Sequence, residues 1–375
     1  MNNIALAPWD DPNESPLIRF ENVTKRFGTF TAIDSLTLNI FEQEFFALLG
    51  PSGCGKTTLM RMLAGFETPT EGTILLAGED IGPVPPNKRA VNMMFQSYAL
   101  FPHLTIFENI AFGLRRGSMP KNDIVDRVEE MLKLTRLEKF AQRKPHQISG
   151  GQRQRVALAR SLAKAPKLLL LDEPLGALDK KLRQDTQFEL MDIQEKTGTT
   201  FVIVTHDQEE AMTVASRVAV MDEGRVIQVS TPDRIYETPN SVYVADFIGD
   251  VNIIKGRASP AGKDRFHIKW GDTLAPLNAA SALPLSEGQD CHLAIRPEKV
   301  AISAEKPEDA DNLVQGKILD IAYLGNLSTY HVELPNGAVI KAQTANTRRI
   351  ARRSFTWEDP VWISWTATAG VLLDQ

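Results

Sequence analysis

The sequence predicts an α/β domain with a parallel sheet, followed by a smaller all-β barrel domain. Up to about residue 244, short apolar runs such as 45–49 and 168–171 alternate with longer segments of helical periodicity. This alternation is typical of parallel strands that helices cover on both faces. A glycine-rich segment at 50–57 joins the first of these runs to a helical segment. Beyond residue 245 the segments are short and end at Gly, Asn or Pro, which indicates antiparallel strands.

The first 244 residues are expected to contain a lead-in and one domain. Residues 1–16 are rich in Pro, Asn and Asp and lack periodicity, so we expect a flexible lead-in. The α/β domain is expected to span residues 17–244, because the alternation of strands and helices covers this range. Within it, apolar residues recur at helical spacing in 122–140, which predicts an inserted helical lobe at about 97–165.

Residues 245–375 are expected to form the separate β-barrel. The dipeptide Asn336-Gly337 lies between two apolar runs, 329–334 and 338–343. Asn-Gly is favoured in the two-residue turns of β-hairpins, because both residues tolerate positive φ angles. We therefore predict a hairpin here. The total of 375 residues suits two or three domains, each large enough to bury a core.

The composition argues against several classes of protein. Lys and Arg number 42 against 47 Asp and Glu, so the chain lacks the basic excess typical of nucleic-acid-binding proteins. Its two cysteines, Cys54 and Cys291, lie far apart, which excludes a disulfide framework. No apolar run approaches the roughly 20 residues of a membrane-spanning helix, and residues 1–10 do not resemble a signal peptide. We expect a soluble, intracellular protein that does not bind nucleic acid.

The segment Gly50-Pro-Ser-Gly-Cys-Gly-Lys-Thr57 fits the pattern G-x-x-x-x-G-K-[ST], and it lies between a strand and a helix as this motif requires. Its glycines let backbone N–H groups surround phosphate oxygens at a helix N-terminus. We expect Lys56 to contact the β- and γ-phosphates and the Thr57 hydroxyl to bind Mg²⁺. An ordinary glycine-rich turn is a minor alternative. The residues expected around the phosphates are Gly50, Pro51, Ser52, Gly53, Cys54, Gly55, Lys56, Thr57 and Thr58.

A second chemical signal follows the four leucines at 168–171, where Asp172 and Glu173 come next in the chain. Parallel sheets bind ligands at the carboxyl edge of their strands, which is where these two carboxylates are expected. Asp172 would hold Mg²⁺, and Glu173 would act as general base toward the attacking water. Taken alone, the pattern fits a capped strand end equally well. Beside a complete phosphate loop, that alternative becomes minor.

The segment Ile148-Ser-Gly-Gly-Gln152, followed by Arg153-Gln-Arg-Val-Ala-Leu-Ala-Arg160, resembles the signature motif of ATP-binding cassette (ABC) ATPases. The family usually has Leu at the position of Ile148, and both side chains are apolar. Ser149 is also a good helix N-cap, and the glycines after it can expose N–H donors to an anion. A merely capped helix is the alternative for this segment in isolation.

Other positions match the family pattern as well. Gln96 resembles the glutamine that senses Mg²⁺ and links to the membrane partner, and His206 resembles the switch histidine at the γ-phosphate. Asp179, preceded by Leu178, resembles the loop that crosses the dimer interface. Phe27 occupies the position of the aromatic residue that stacks on adenine, although a core position is the alternative if Phe27 is taken alone.

The resemblance covers essentially the whole chain and implies a set of site residues. It assigns catalysis to Gln96, Glu173 and His206, and Mg²⁺ binding to Thr57, Gln96 and Asp172. Beyond the phosphate loop, it assigns nucleotide contacts to Phe27, Ser149, Gly150, Gly151, Gln152 and Asp179.

The resemblance also implies an architecture and an assembly. The fold would be that of an ABC ATPase, a P-loop NTPase with a mixed, largely parallel sheet and an inserted helical lobe. Two copies of the chain would form a homodimer with two ATP molecules at the interface. Each ATP would lie between the phosphate loop of one copy and Ser149–Gln152 of the other, and hydrolysis would let the copies separate.

The same resemblance implies a role in transport. Because the chain has no membrane-spanning segment of its own, it would work with two transmembrane permease subunits and, indirectly, with a periplasmic or extracellular solute-binding protein. Residues 97–106 and 108–114 are apolar for a segment after Gln96. Some of them would line a groove for a permease helix, while a place in the core of the helical lobe is the alternative. The expected location is the cytoplasmic face of the bacterial inner membrane.

The C-terminal segments indicate a subclass. Ile295-Arg-Pro-Glu298 and Tyr323-Leu-Gly-Asn326 resemble landmarks of the OB-like accessory barrel of importer ATPases. Runs such as 93–103 and 177–183 resemble the spermidine/putrescine importers, with the closest likeness to the putrescine branch. A sugar, ferric ion or anion remains the alternative solute. The barrel itself is either a ligand site or a module that stabilises the dimer.

Two classes outside transport are less consistent with the chain. Chromosomal ABC ATPases carry long coiled-coil insertions and ribosomal ones carry two cassettes, and neither feature is seen here. For a P-loop GTPase, the pair Asn87-Lys88 lacks an Asp two residues after the Lys, where Ala90 stands. Cys54, among the N–H groups of the phosphate loop, is expected either to react with alkylating agents or simply to be a small residue that fits.

Overall fold

The computed structural model describes residues 7–176, 179–272, 274–347 and 354–374, and also the backbone but not the side chain of Lys180 within the second range. The chain divides into two compact units between residues 233 and 234. This division falls inside a short helix rather than at the expected residue 245. Contacts of Tyr236 place residues 234–244 with the second unit, because the Arg296 guanidinium donates to its carbonyl at 3.4 Å and its hydroxyl donates to Oε1 of Glu298 at 2.7 Å.

The first unit contains ten strands and six helices among its described residues. The strands are β1 Ile18–Phe27, β2 Phe30–Ile40, β3 Phe45–Leu49, β4 Glu71–Leu76, β5 Glu79–Asp80, β6 Val91–Met94, β7 Leu168–Asp172, β8 Thr200–Thr205, β9 Arg217–Asp222 and β10 Arg225–Ser230. The helices are α1 Lys56–Ala64, α2 Ile106–Leu114, α3 Lys121–Leu134, α4 Gly150–Leu162, α5 Lys180–Thr197 and α6 Gln208–Val214.

The predicted parallel sheet is confirmed as a six-stranded sheet with the order β10-β9-β3-β8-β7-β6. All neighbouring pairs are parallel except β10 with β9. Every residue of β3 and β8 is buried, in agreement with their continuous apolar sequences. Leu49 of β3 pairs with Thr205 of β8, and Asp172 of β7 pairs with Val204. The carboxyl ends of β3, β7 and β8 therefore lie together at one edge.

A second, antiparallel sheet with the order β2-β1-β4-β5 accompanies the first. Side chains from both sheets and from α1 share one apolar core, which includes Phe20, Phe46, Leu63 and Val202. Burial of this core is what fixes α1, and with it the loop between β3 and α1, against the sheet edge.

Helices α2, α3 and α4 contact one another and form the helical lobe. On α3 the buried side chains are Ile124, Val128, Met131 and Leu132, which is the helical spacing read from the sequence. The lead-in is only partly as expected. Residues 1–6 lie outside the described residues, but Trp9 packs over Arg217, with its ring centroid 5.1 Å from the guanidinium carbon. This cation–π contact attaches the lead-in at Trp9 to the sheet.

The second unit is all-β apart from short helices near its start. Its helices are α7 Pro232–Glu237, which begins just before the division, and α8 Val242–Phe247. Its strands are β11 Asn252–Gly262, β12 Arg265–Lys269, β13 Leu277–Ala280, β14 Asp290–Ile295, β15 Ala301–Ser303, β16 Asn312–Tyr323, β17 Leu327–Glu333, β18 Val339–Ala345, β19 Pro360–Trp365 and β20 Gly370–Leu373.

These strands form two five-stranded antiparallel sheets, β13-β12-β11-β14-β20 and β15-β19-β16-β17-β18, around one apolar core. The predicted hairpin is confirmed, since β17 and β18 pair on either side of Asn336-Gly337 and Gly337 has a φ of 81°. Among the helices in the described part of the chain, none is long and apolar enough to cross a membrane.

Candidate active site

The phosphate loop, which starts at Gly50, joins β3 to α1, and backbone atoms of neighbouring segments pack closely against it. A Cβ atom on Gly55 would lie 2.6 Å from the carbonyl oxygen of Ala32, and one on Gly50 would lie 2.4 Å from that of Met221. Gly53 and Gly55 have φ angles of 84° and 105°, in the left-handed region that favours glycine. The loop therefore needs glycine for conformation and for space, and its N–H groups curve over the start of α1.

Lys56, the first residue of α1, has a buried side chain that reaches back along the loop. Its Nζ donates to the carbonyl oxygens of Gly50 at 2.7 Å and Pro51 at 2.8 Å. The ammonium group is therefore held across the curve of the loop, where it can meet a phosphate. Ser52 and Thr57 are exposed, and Thr58 is half-buried.

The Cys54 side chain is 3% exposed and lies beneath the loop. Its Sγ lies 3.6 Å from Nζ of Lys56, and a Cβ on Gly50 would be 2.7 Å from this sulfur. The prediction of an accessible, reactive thiol is wrong on accessibility, because the sulfur fills the space that the missing side chain of Gly50 leaves. Cys54 is a small residue that fits, which was the alternative interpretation.

The two acidic residues at the end of β7 have different surroundings. Burial, and then the charge of Glu173, raise the pKa of Asp172, while Arg61 acts in the opposite direction. Glu173 adopts a φ of 43°, an unusual conformation for a non-glycine residue, and its N–H donates to the carbonyl of Val204 at 3.0 Å. Strained backbone of this kind is common where a side chain has a chemical role.

The structure brings together the three residues predicted to act in catalysis. Nε2 of Gln96 donates to Oε2 of Glu173 at 3.2 Å, and Nδ1 of His206 lies 2.9 Å from Oε1 of Glu173. These residues follow β6, β7 and β8, which are adjacent parallel strands. A carboxylate is thus held between an amide and an imidazole at the sheet edge that also carries the phosphate loop.

The loop that carries Gln96 is fixed by Arg160 of α4. Its guanidinium donates to the carbonyl oxygens of Ala99 at 2.8 Å and Tyr98 at 2.9 Å, two residues with positive φ angles. Burial lowers the pKa of Arg160, which is a sign of how far the side chain is removed from water. The sequence placed Arg160 in the signature segment but gave no reason to link it to the loop of Gln96.

The signature segment begins α4 with a capping box. The Ser149 N–H donates to Oε1 of Gln152 at 2.9 Å, and the Gln152 N–H donates to Oγ of Ser149 at 3.3 Å. The predicted N-cap is therefore present. Around Gly150 the space is open, since the nearest atom to an added Cβ would be Nη2 of Arg153 at 3.8 Å. Within the described chain, no hydrogen bond joins Ser149–Gln152 to the phosphate loop.

Two further predicted contacts lie at the ends of elements. Asp179 is the N-cap of α5 and its Oδ1 accepts from the Leu182 N–H at 3.0 Å; Leu178 lies outside the described residues. Phe27 ends β1 and is 46% exposed, so it is not a core residue. Nζ of Lys25 lies 4.7 Å from the Phe27 ring centroid, which orients one face of the ring.

One group near His206 was missed from the sequence. Glu210 is buried in α6, where Thr205 donates to its carboxyl group, and Arg183 of α5 donates to Asp207 at 2.5 Å. The available signal was the spacing of Glu210 with Val214, four residues later, which places a glutamate on the buried face of a short helix.

The donor set suits a nucleoside triphosphate with a divalent cation. Two adjacent carboxylates end β7, the raised pKa of Asp172 reflects a carboxylate that a nearby cation would stabilise, and the Thr57 hydroxyl is exposed at the start of α1. No cluster of three or more His, Cys, Asp or Glu in the described ranges could hold a metal ion by itself. Mg²⁺ is compatible with this, because it takes few protein ligands and completes its shell with phosphate and water.

Comparison with known proteins gives consistent matches in both units. Residues 33–176 match the ABC transporter family and residues 293–373 match the TOBE domain family. The chain is 50% identical over 359 residues to the putrescine transport ATP-binding protein PotG of Escherichia coli strain K12, covering 96% of this chain and 95% of that protein. It is 48% identical to the spermidine/putrescine import ATP-binding protein PotA of Rubrobacter xylanophilus, covering 95% and 93%.

Two solved structures are similar to the chain. One is the dimeric post-hydrolysis state of the ATP-binding cassette MJ0796 with ADP and Pi, with a TM-score of 0.50 and 34% identity over 57% of this chain and 98% of that one. The other is cbiO1 from Clostridium perfringens, part of the cbiONQ transporter complex, with a TM-score of 0.55 and 30% identity over 59% and 91%. With half of its residues identical to PotG over nearly the full length of both proteins, this chain belongs to the ABC transporter family as an ATP-binding subunit with a C-terminal TOBE domain.

Proposed function

We propose that the chain is the ATP-hydrolysing subunit of an importer for polyamines, with putrescine as the first candidate solute. The observation that carries the proposal is the convergence of Gln96, Glu173 and His206 at the sheet edge beside the phosphate loop. The solute is proposed from the names of PotG and PotA, because nothing in this subunit needs to contact it.

The phosphates are held by the loop and by Lys56. The loop N–H groups at the start of α1 are suited to bind an anion. The Lys56 ammonium group is held in the loop by the carbonyls of Gly50 and Pro51, and it would add a full positive charge beside the γ-phosphate. Thr57 and Asp172, with Gln96, would hold Mg²⁺, which supplies positive charge to the β- and γ-phosphate oxygens when bound. Phe27 offers an exposed aromatic face to the adenine.

Glu173 accepts the proton of the attacking water. As a general base its carboxylate must be correctly oriented, and the contacts with Gln96 and His206 hold both of its oxygens in place. Electron density moves from the water oxygen to the γ-phosphorus, the bond to the β-phosphate oxygen breaks, and ADP leaves with the freed electron pair.

The γ-phosphate is expected to meet a second copy of the chain through α4. The capping box uses the N–H groups of Ser149 and Gln152, which leaves those of Gly150 and Gly151 as donors among the described groups. A helix N-terminus with open space around it suits an anion from outside the chain. When the γ-phosphate is lost, the attraction between the copies weakens and they separate.

This opening and closing would be transmitted to two transmembrane permease subunits, with a solute-binding protein on the far side. The subunit would then lie at the cytoplasmic face of the bacterial membrane, attached through the permeases. The relatives PotG and PotA, whose names state transport and import, support this assignment.

The test of the catalytic assignment is the Glu173→Gln variant of the full-length chain. We expect ATP binding to remain, because the phosphate loop is unchanged, and turnover to fall by at least 100-fold, within the range for loss of a general base. Glu209→Gln is the matched control, since Glu209 is exposed on α6, and its turnover should stay within twofold of the unchanged chain. Normal hydrolysis by the Glu173→Gln protein would remove Glu173 from this role.

The solute is tested in the reconstituted complex with its permeases and solute-binding protein. We expect putrescine on the binding protein to stimulate ATP hydrolysis several-fold, with spermidine weaker. The Glu173→Gln complex should show no stimulation and serves as the background. Stimulation by a sugar, ferric ion or an inorganic anion instead would reassign the solute and leave the ATPase assignment intact.

A further inference from the structure

Glu210 is a buried carboxyl group that the mechanism above does not use. It lies on α6, four residues after His206, and its side chain is 2% exposed. Its Oε2 accepts a hydrogen bond from Oγ1 of Thr205, the last residue of β8. Its Oε1 has no hydrogen-bond partner within the described residues. A buried acid that keeps one oxygen unpaired is costly, which suggests that its other bond serves a purpose.

That other bond determines how Thr205 can act. A hydroxyl has one proton, and the proton of Thr205 is donated to Glu210. The oxygen of Thr205 therefore serves as an acceptor for the N–H of Asp207, at 2.9 Å. Thr205 and Asp207 flank His206, so the turn that carries the imidazole is closed by one hydroxyl whose direction Glu210 fixes.

Asp207 gives the same turn a second attachment. Its Oδ1 accepts from the Glu210 N–H at 3.0 Å, and its Oδ2 accepts from Nη1 of Arg183 at 2.5 Å. Arg183 lies in the first turn of α5, which begins after its N-cap, Asp179. The turn of His206 is therefore connected on one side to Glu210 and on the other to the start of α5.

We propose that Glu210 is a positioning residue for His206, because its carboxylate orients the Thr205 hydroxyl and so holds the turn that presents the imidazole to Glu173. This inference rests on the proposed role of His206 beside Glu173. It assigns Glu210 no contact with ATP, so its loss should lower the turnover number and leave the KM for ATP unchanged.

The charges around Glu210 make this support dependent on pH. Asp207 and Glu173 are the facing carboxylates and Arg183 is the facing cation. Burial is the main cause that raises the pKa of Glu210 to about 7, and the Thr205 hydrogen bond opposes it. An ionised carboxylate accepts a stronger hydrogen bond than a neutral acid or amide does. The turn is therefore held more firmly at pH 8 than at pH 6.

The test is steady-state ATP hydrolysis by the full-length chain at pH 6 and pH 8. At pH 8 we expect Glu210→Gln to lower kcat about fivefold with KM within twofold, the difference between a charge-assisted and a neutral hydrogen bond. At pH 6 its kcat should lie within twofold of the unchanged chain, where Glu210 is already largely protonated. Thr205→Ser should retain activity at both values, whereas Thr205→Val should lose it at both.

Matched controls come from the same helix. Glu209→Gln changes an exposed neighbouring glutamate, and Thr213→Val removes a hydroxyl that donates to the Glu209 carbonyl of its own helix; both should leave kcat unchanged. Should Thr205→Val fail to fold in a thermal-unfolding check, the comparison of Glu210→Gln with Thr205→Ser carries the test. Equal effects of Glu210→Gln at both pH values, or a parallel rise in KM, would overturn the inference.

The His206→Ala variant separates this inference from the function on which it rests. If His206→Ala keeps full turnover, the proposed role of His206 fails. If His206→Ala loses turnover while Glu210→Gln behaves like Glu209→Gln at pH 8, only the positioning role of Glu210 is overturned. Loss of turnover in both, with the pH difference above, supports both.

Discussion

Gly53 and Gly55 have similar backbone conformations but different surroundings. Both φ angles are positive, yet a Cβ on Gly53 would meet no atom within 4 Å, whereas one on Gly55 would lie 2.6 Å from the Ala32 carbonyl oxygen. The pair therefore separates two costs that a phosphate loop imposes. One is the strain of a left-handed conformation, and the other is the lack of space against the neighbouring strand.

We predict that Gly55→Ala costs more stability than Gly53→Ala. The Gly53 change should cost about 1–2 kcal/mol from the left-handed backbone alone. The Gly55 change should cost about 3–4 kcal/mol, because the backbone of Ala32 must also shift. Urea unfolding of the two variants measures the difference in their free energies of unfolding. Binding of a fluorescent ATP analogue shows whether the phosphate loop keeps its conformation. Equal losses would mean that the contact with Ala32 relaxes without cost.

Glu210 leads to a prediction about stability, separate from its effect on turnover. Its folded pKa of about 7 lies above the ordinary 4.5, so the folded chain binds a proton that the unfolded chain has released between these values. Stability contributed by this group is therefore intact below pH 4.5, falls as the pH rises to 7, and stays constant above. The loss amounts to about 3 kcal/mol.

Glu210→Gln should remove this pH dependence, since an amide does not titrate. Relative to the unchanged chain, we expect the variant to gain stability between pH 5 and pH 8 by about 2.5 kcal/mol. Urea unfolding followed by far-ultraviolet circular dichroism at both values measures this change. Glu209→Gln, an exposed neighbour, should show none of it. A constant difference between the chains at both pH values would contradict the prediction.

At the scale of elements, two helices begin with the same device. In α2 the Thr105 side chain and the Glu108 side chain form a capping box, as Ser149 and Gln152 do in α4. In each helix the box satisfies the same two backbone N–H groups, those of the N-cap and of the third helical residue. Of these two helices, α4 alone is proposed to bind a phosphate at its N-terminus. The two helices are therefore a matched pair for separating stability from function.

We predict that Thr105→Ala and Ser149→Ala each cost about 1 kcal/mol of stability, because each removes one cap. The capping box uses the Ser149 Oγ as an acceptor, which leaves the hydroxyl proton for the γ-phosphate. ATP hydrolysis by the isolated full-length chain should therefore fall about 100-fold for Ser149→Ala, at the low end of the range for loss of a donor to the reacting group. For Thr105→Ala it should stay within twofold. Denaturant unfolding measures the loss of stability, and steady-state ATP hydrolysis measures the loss of activity. A similar loss of activity in both would mean that α4 acts only through stability.

At the scale of the whole molecule, the sequence predicted those parts that local pattern determines. The buried strands at 45–49 and 168–171, the helix face of α3 and the Asn336-Gly337 hairpin follow from periodicity and turn chemistry. Glu173 followed from its place at a strand end, whereas Gln96 and His206 were assigned only by resemblance. The three lie up to 110 residues apart and meet because β6, β7 and β8 are neighbours. The order of strands in a sheet is determined by tertiary packing and cannot be predicted from the pattern of a single sequence.

The parts that were missed share one property. Glu210 and Arg160 belong to residue types that are usually exposed, and Trp9 lies in a segment without periodicity. Here Glu210 is buried, and Arg160 and Trp9 contact partners distant in sequence. The second compact unit begins at residue 234 rather than near 245 because Tyr236 contacts Arg296 and Glu298, which no local pattern connects to it. The hydrophobic periodicity of a sequence does not show which polar residues distant in the chain contact one another.

The proposed sandwich of two chains around ATP makes a prediction about mass in solution. With Glu173→Gln, ATP stays bound, so saturating MgATP should convert the chain from a 41.6-kDa monomer to a species of twice that mass by light scattering. Lys56→Ala added to Glu173→Gln should prevent this, because the phosphates lose their charge partner.

Ser149→Glu added to Glu173→Gln is the sharper control. An acidic residue is tolerated at a helix N-terminus but repels a phosphate from the other copy, so this protein should bind ATP and stay monomeric. A dimer that forms equally well with Ser149→Glu would place the contact between the copies elsewhere than at the start of α4.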